Sequence, residues 1–398
     1  MIRRRDVPLA AAAQGLAIWS GSAFAQTKGR DKKETATAAA PVHADARVSR
    51  ILAPVRDEHH LPGLIGAILK GKRLAAIGAL GIRKIGSSEP ILVTDQVHIG
   101  SCTKAMTAPM IGTLIDAGKL SAGTTIRQVF PQAAPGLHPD FQSVTLWQLL
   151  THRAGLPGDG PWWDLTGKTT TEQRWDLLLR MLGDAPQIQP GTVFAFSNVG
   201  YALAALMAEQ VTGRSWEVLM RKRLFEPLGM LSAGFGSPGR TGRVDQPWGH
   251  AVSGNALKPT LRDNAPAFGP AGTVHCTLTD WAKFAALHLQ GAQGKATLLK
   301  PATFRALHTP PPDNTYAGGW FVRERSWAGG RTLAHDGTNT TWYAAIWIAP
   351  ARDFAVLTAT NQGGTAGEKA TDEAASKLIE SRASLAGKET GKPSAPTE

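Results

Sequence analysis

Cysteine is nearly absent: Cys102 and Cys276 are the two cysteines in 398 residues, which excludes a scaffold built on disulfides. They can pair with each other in an oxidising compartment, but small buried thiols are the commoner outcome. No spacing of Cys, His and carboxylates matches a metal site, so neither a metal nor another cofactor is expected. No apolar run approaches the length of a membrane-spanning helix, and no internal repeat is present. Charge is unbalanced, with 43 Lys and Arg against 31 Asp and Glu and a formal net charge of +12. The basic residues are dispersed, with local groups at 221–223 and 240–243 and no interleaved aromatics, which argues against nucleic acid as a partner.

What is present divides the chain in order. Arg3-Arg4-Arg5, an apolar stretch from Val7 to Trp19, and Ser22-Ala23-Phe24-Ala25 before Gln26 have the form of a secretory signal peptide over residues 1–25. The expectation is export to a periplasm by the general secretory or the twin-arginine route. Residues 26–46 read as a solvated leader and residues 384–398 as a polar tail, which leaves a folded domain over about 47–383. Within it, Val48–Glu58 has helical periodicity, and two β-rich runs follow at Leu64–Lys70 and Leu74–Leu80. Helical patterns recur at Thr145–Thr151, Thr170–Leu182, Asn198–Thr212, Trp216–Leu224 and Thr279–Gln290. Strand patterns return at Gly319–Arg325, Arg331–His335, Thr340–Ile348 and Phe354–Thr360, before a last helix at Gly367–Ile379. Strands at both ends around a helical block predict an α+β domain. Its antiparallel sheet is formed from both chain ends and flanked by helices, with a mainly helical region over about 110–285 inserted and a cleft between the two parts.

The stretch that carries chemistry is His98-Ile99-Gly100-Ser101-Cys102-Thr103-Lys104. Apolar residues recur at helical spacing from Cys102 to Ala117 and Gly118 stands where a helix stops, so Ser101 opens a helix and Lys104 lies one turn on, on the same face. A serine hydroxyl is a weak nucleophile near neutral pH, and a buried lysine with a lowered pKa can take its proton. Main-chain N–H groups at the helix start can hold an oxyanion. A serine followed three residues later by a lysine is common by chance, and the plain reading of Ser101 is a helix cap.

The neighbouring segments raise the functional reading. Ser101-Cys102-Thr103-Lys104, Leu149-Leu150-Thr151-His152-Arg153-Ala154-Gly155-Leu156, Pro190-Gly191 through Phe196-Ser197-Asn198 to Gly200-Tyr201, Leu224 to Met230, Gly269-Pro270-Ala271-Gly272 and His335-Asp336-Gly337 follow in that order. Together they resemble the β-lactamase-related serine hydrolases, the superfamily of class C β-lactamases, D,D-peptidases, D-aminopeptidases and family VIII esterases. The resemblance implies a β-lactamase and penicillin-binding-protein-like fold and an acyl-enzyme on Ser101. It implies hydrolysis of amide or ester bonds in a small-molecule or short-peptide partner, leaning to a peptidase or amidase, with a carboxylesterase as one alternative and a binding or sensor relative without turnover as another.

One position departs from the family. Its second motif carries a tyrosine that relays protons, and Phe196 stands there, while Asn198 is retained. Phenylalanine cannot act as an acid or base. The candidates for the relay rank as Lys104, then His335, then Tyr201. Asn198, Phe196, Gly337, Thr338 and Asn339 are expected to line the substrate pocket, with Trp162 and Trp163 as an aromatic wall; Thr340, Thr341 and Trp342 stand beside them. The oxyanion donors implied by the resemblance are the N–H of Ser101 and one near Thr338 to Thr340. His152 is expected to order its own loop.

Overall fold

The computed structural model describes residues 43–254 and 256–386. The signal-peptide reading, most of the leader and the end of the tail fall outside them. The described part of the leader is already structured: Asp45 accepts from Arg47 N at 2.9 Å and caps helix α1, Ala46–Glu58. At the other end a short helix, Arg382–Ala386, buries Leu385, so the fold runs a few residues past the expected boundary.

The strands in chain order are β1 (Gly63–Lys70), β2 (Arg73–Gly81), β3 (Gln96–His98), β4 (Gly234–Phe235), β5 (Gly249–Ser253), β6 (Ala256–Thr260), β7 (Val274–Thr277), β8 (Phe321–Arg325), β9 (Gly330–Thr338), β10 (Tyr343–Ala349) and β11 (Phe354–Thr360). Six of them make the main sheet in the order β2-β1-β11-β10-β9-β8. Its described pairings are all antiparallel. The two chain ends meet where Leu64 pairs with Thr360 and Lys70 with Phe354, as the expected sheet from both termini requires.

Strand β1 is buried along almost its whole length because both faces are covered. Successive side chains point to opposite faces: Leu64 and Ile68 enter a core with Val48, Leu52 and Val55 of α1 and with Ala374 and Leu378 of the C-terminal helix Gly364–Glu380. Ile65, Ala67 and Leu69 enter the larger core on the other side. Gly66 lies under the crossing of the two helices; a methyl there would stand 2.9 Å from Leu378 and 3.2 Å from Leu52.

Helix α2, Thr103–Asp116, runs through the larger core with every residue from Thr103 to Gly112 buried. Leu203, Met207, Trp216 and Phe284 belong to the same cluster. Outside the main sheet the chain also holds strands that periodicity did not reveal. A three-stranded sheet has the order β3-β7-β4 and a hairpin is formed by β5 and β6. These strands are two to five residues long, too short for alternation to show. The expected helix Trp216–Leu224 divides into Trp216–Met220, a wide turn at Arg221–Phe225 and Glu226–Leu228, because Pro227 cannot continue an α-helical ladder. The strand expected from Thr340 begins at Tyr343 instead, since residues 338–342 form a turn.

Candidate active site

Ser101 is placed by a crossing of main chains. It lies in a 3₁₀ turn, Gly100–Cys102, just before α2, so the regular helix starts two residues later than expected. Gly100 has φ +49, and a Cβ on it would stand 2.3 Å from Thr338 N; a Cβ on Gly337 would stand 2.4 Å from Ser101 N. Only two facing glycines let β9 lie this close to the nucleophile turn. The N–H groups of Ser101 and Thr338 therefore share one small region.

Lys104 is fully buried and its Nζ donates to Ser101 Oγ at 3.0 Å and to the Ala271 carbonyl at 2.8 Å. The segment carrying Ala271 is stitched along α2, since Thr107 donates to the Pro270 carbonyl at 2.8 Å and Thr103 accepts from Val274 N at 3.0 Å. Behind it, buried Arg174 donates to the carbonyls of Ala267 and Pro266 and pairs with Glu209 and Glu217. Around Nζ stand the rings of Phe196, Tyr201 and Phe268 at 5.0, 5.8 and 6.0 Å to their centroids. Burial among these rings penalises the charged amine and lowers the Lys104 pKa to about 7, so that near neutral pH a large share of it is free base.

Phe196 is the one ring of the three that is well exposed, at 40%. It packs on His152 at 4.8 Å. His152 orders its loop as expected: its Nδ1 accepts from Ser197 N at 3.1 Å and its carbonyl accepts from Ala195 N at 2.8 Å. Asn198 begins the helix Asn198–Thr212, which Ser197 caps, and its Oδ1 is buried without a partner among the described residues.

Four expectations change. His335 hydrogen-bonds neither Ser101 nor Lys104. Its Nδ1–H donates to the Asp336 carbonyl at 2.6 Å and its Nε2 accepts from Tyr316 at 3.1 Å. Burial lowers its pKa to about 4, so it is neutral and fully engaged. Asn339 is not free for substrate: its Oδ1 accepts from Thr341 N, Thr341 Oγ1 and Trp342 N at 3.0–3.2 Å and its Nδ2 donates to Asp263 at 2.9 Å. Trp162 is buried, donates to Asp159 and packs on Phe268 at 5.1 Å, a wall behind the site. Tyr201 donates to the Leu150 carbonyl at 2.9 Å and packs. Trp163 stays 68% exposed. Thr338 is at the surface with its hydroxyl donated to the Trp342 carbonyl. Cys102 points its thiol at the carbonyls of His335 and Ala344, and both cysteines are free and buried.

Tyr316, Arg174 and Asp263 were missed, as was the contact of the Ala271 carbonyl with Lys104. The segment Tyr316-Ala317-Gly318-Gly319-Trp320 carries a signal in its paired glycines, since a Cβ on Gly319, at φ +87, would stand 2.7 Å from Ala105 Cα on the nucleophile helix.

Comparison with known proteins agrees with this geometry. Penicillin-binding protein 4 of Amycolatopsis lactamdurans is 28% identical over 332 residues, which cover 80% of this chain and 85% of that one. Protein flp of Staphylococcus aureus (strain N315) is 23% identical over 322 residues, and the match spans 62% of that longer relative. The solved structure of D-alanine carboxypeptidase AmpC from Burkholderia cenocepacia superposes with a TM-score of 0.68 at 19% identity, over 84% of this chain and 98% of that one. The Beta-lactamase family model matches residues 48–380. With a serine, a buried lysine and a glycine-lined strand brought together inside that span, the chain belongs to the Beta-lactamase family, whose members are generally serine hydrolases.

Proposed function

We propose that this chain is an exported serine hydrolase that opens amide bonds of short peptides or related small molecules through an acyl-enzyme on Ser101. The observation that carries the reading is the 3.0 Å contact between Ser101 Oγ and a buried Lys104 amine whose pKa is about 7. In its free-base form Lys104 takes the hydroxyl proton as Oγ attacks the carbonyl carbon. The N–H groups of Ser101 and Thr338 receive the developing oxyanion. Collapse expels the leaving group, which takes its proton from Lys104, and water then repeats the sequence against the acyl-enzyme with Lys104 again as base.

The unpartnered Oδ1 of Asn198 supports an amide substrate, because a buried acceptor is satisfied by an N–H beside the scissile carbonyl. The relatives titled penicillin-binding protein and D-alanine carboxypeptidase point the same way. Phe196 supports a second reading, a carboxylesterase. Without the phenol, Lys104 alone protonates the leaving group, and alkoxides and phenolates need that help less than amines do. Export rests on the charged and apolar pattern of residues 1–25.

Intact-protein mass after brief incubation with an activated ester, a penicillin or a short-peptide pool tests the proposal beside Ser101→Ala. A transient adduct absent from the variant, with product accumulating, is expected, and the ligand that gives it decides between peptidase and esterase. A permanent adduct would establish a sensor without turnover. No adduct with any ligand would remove Ser101 from the chemistry.

A further inference from the structure

Asp263 lies outside every motif named above, on the segment between β6 and Ala271, and it joins the two sides of the crossing at Ser101. Its Oδ1 accepts from Asn339 Nδ2 at 2.9 Å and from Asn264 N at 2.7 Å. The same oxygen stands 3.0 Å from Nε2 of His98, outside the alignment of an ideal hydrogen bond. His98 is fully buried and its Nδ1 accepts from Gly100 N at 3.1 Å, which leaves the ring proton on Nε2, toward the carboxylate. Asn339 in turn closes the turn after β9 through Thr341 N and Trp342 N.

One carboxylate thereby reaches the turn that enters Ser101 and the turn that leaves Thr338. The second turn is not a conformation that its residues favour alone, since Thr340, a β-branched residue, has φ +74, whereas the first is open to glycine, with Gly100 at φ +49. Thr340 N is held by Thr338 Oγ1 at 2.9 Å, so the strain sits directly beside Thr338. The main-chain donors of Ser101 and Thr338 lie between these two tethered turns. Two donors on separate segments make an anion site only if both segments are held, and a loss of alignment by about 1 Å removes much of its value.

We propose that Asp263 is a positioning residue for the oxyanion site, holding the N–H groups of Ser101 and Thr338 in register through His98 and Asn339. This rests on the acyl-enzyme reading of Ser101. One carboxylate oxygen serves all three donors here, and a side chain without an acceptor at that point would leave each of them unpaired in a buried place.

The test compares wild type, Asp263→Ala and His98→Asn. The last variant keeps an acceptor near Gly100 N and removes the reach to Asp263. Each is assayed with a p-nitrophenyl ester for kcat and KM, and with a p-nitrophenyl phosphonate for the rate of forming a tetrahedral adduct on Ser101. Loss of donor alignment is expected to lower kcat and the phosphonylation rate together, by about ten- to a hundredfold, with KM changed less than threefold. The proposal is overturned if either folded variant keeps kcat and phosphonylation within threefold of wild type, or if the loss falls on KM alone. If Asp263→Ala does not fold, His98→Asn decides by the same criteria. A wild-type protein that takes neither ester nor phosphonate would overturn the hydrolase reading itself. A reactive wild type beside unimpaired variants overturns only the role of Asp263.

Discussion

On α2, Lys104 is buried among three aromatic rings with one carbonyl and one hydroxyl as partners. On β9, His335 is buried with a carbonyl on one nitrogen and the Tyr316 phenol on the other. Desolvation lowers both pKa values, to about 7 and about 4. The same cause has opposite consequences. A lysine lowered to 7 gains a free-base population at neutral pH, while a histidine lowered to 4 loses the charged form it would need to donate a proton. Residue type alone favours histidine for proton transfer near pH 7; the contacts give the task to lysine.

The largest expected effect separates the two. Lys104→Ala should lower kcat/KM by roughly 10³-fold, the scale of a lost general base, whereas His335→Gln should cost less than about tenfold. Thermal unfolding of both variants checks that they are folded. The reverse order of losses would move the base from α2 to β9.

The pH profile sharpens the same contrast without mutation. Because the neutral amine is the base, kcat/KM should rise about tenfold per pH unit below 7 and level off above about 8. A limb governed by His335 would lie near 4. Stability sets the lower edge of the experiment. His275, His308 and His335 have folded-state pKa values of about 4 against an ordinary 6.5. The unfolded chain takes up protons first as the pH falls, so folding stability declines from about 6.5 toward 4. Rates are therefore best read above pH 5, and a melting temperature that did not fall across that window would show that these histidines are not buried neutral.

Phe196 lies on the α2 side of the comparison, its ring 5.0 Å from the Lys104 amine. Phe196→Tyr puts a titratable hydroxyl beside that amine. It should raise amide turnover about tenfold and change activated-ester turnover little, since only the poorer leaving group needs the added acid. Equal gains on both substrates, or none, would show that leaving-group protonation does not limit the reaction.

The α2 pair was readable in the sequence; on the β9 side the strand was readable and its side-chain contacts were not, for a physical reason. Ser101 and Lys104 are three residues apart, so helix geometry alone brings them together. The sheet from both chain ends, the family and the order of the motifs followed from patterns of comparable range. His335 meets Tyr316 across 19 positions and Asn339 meets Asp263 across 76. Nothing local in Asp336-Gly337-Thr338-Asn339 announces that the asparagine will close its own turn and leave substrate no free atom. Ala271 was unreadable as a partner of Lys104 because any residue supplies a carbonyl. The two- to five-residue strands of the small sheet and the hairpin were lost to their shortness. Trp162 and Trp163 are adjacent and identical in type, yet one is buried on Phe268 and the other exposed, a difference that only the path of the loop decides.

Tyr316 gives the smallest and most discriminating break. Its hydroxyl donates to His335 Nε2 at 3.1 Å and lies 3.4 Å from the Tyr201 hydroxyl, whose own proton goes to the Leu150 carbonyl. Each proton in this row is already committed to an acceptor, and none is directed at Ser101 or Lys104. The row therefore fixes the rear of β9 and moves no proton during turnover. Tyr316→Phe removes one donor and leaves Nε2 of a buried histidine unsatisfied, which should cost about 1–3 kcal/mol of stability. Chemical denaturation should register that loss in the midpoint with the slope unchanged. The kcat/KM limb near pH 7 should stay where it is, with the plateau lowered no more than about twofold, since Lys104 keeps both of its partners. A variant of normal stability that lost its turnover would instead make the phenol part of the proton path and return His335 to the chemistry.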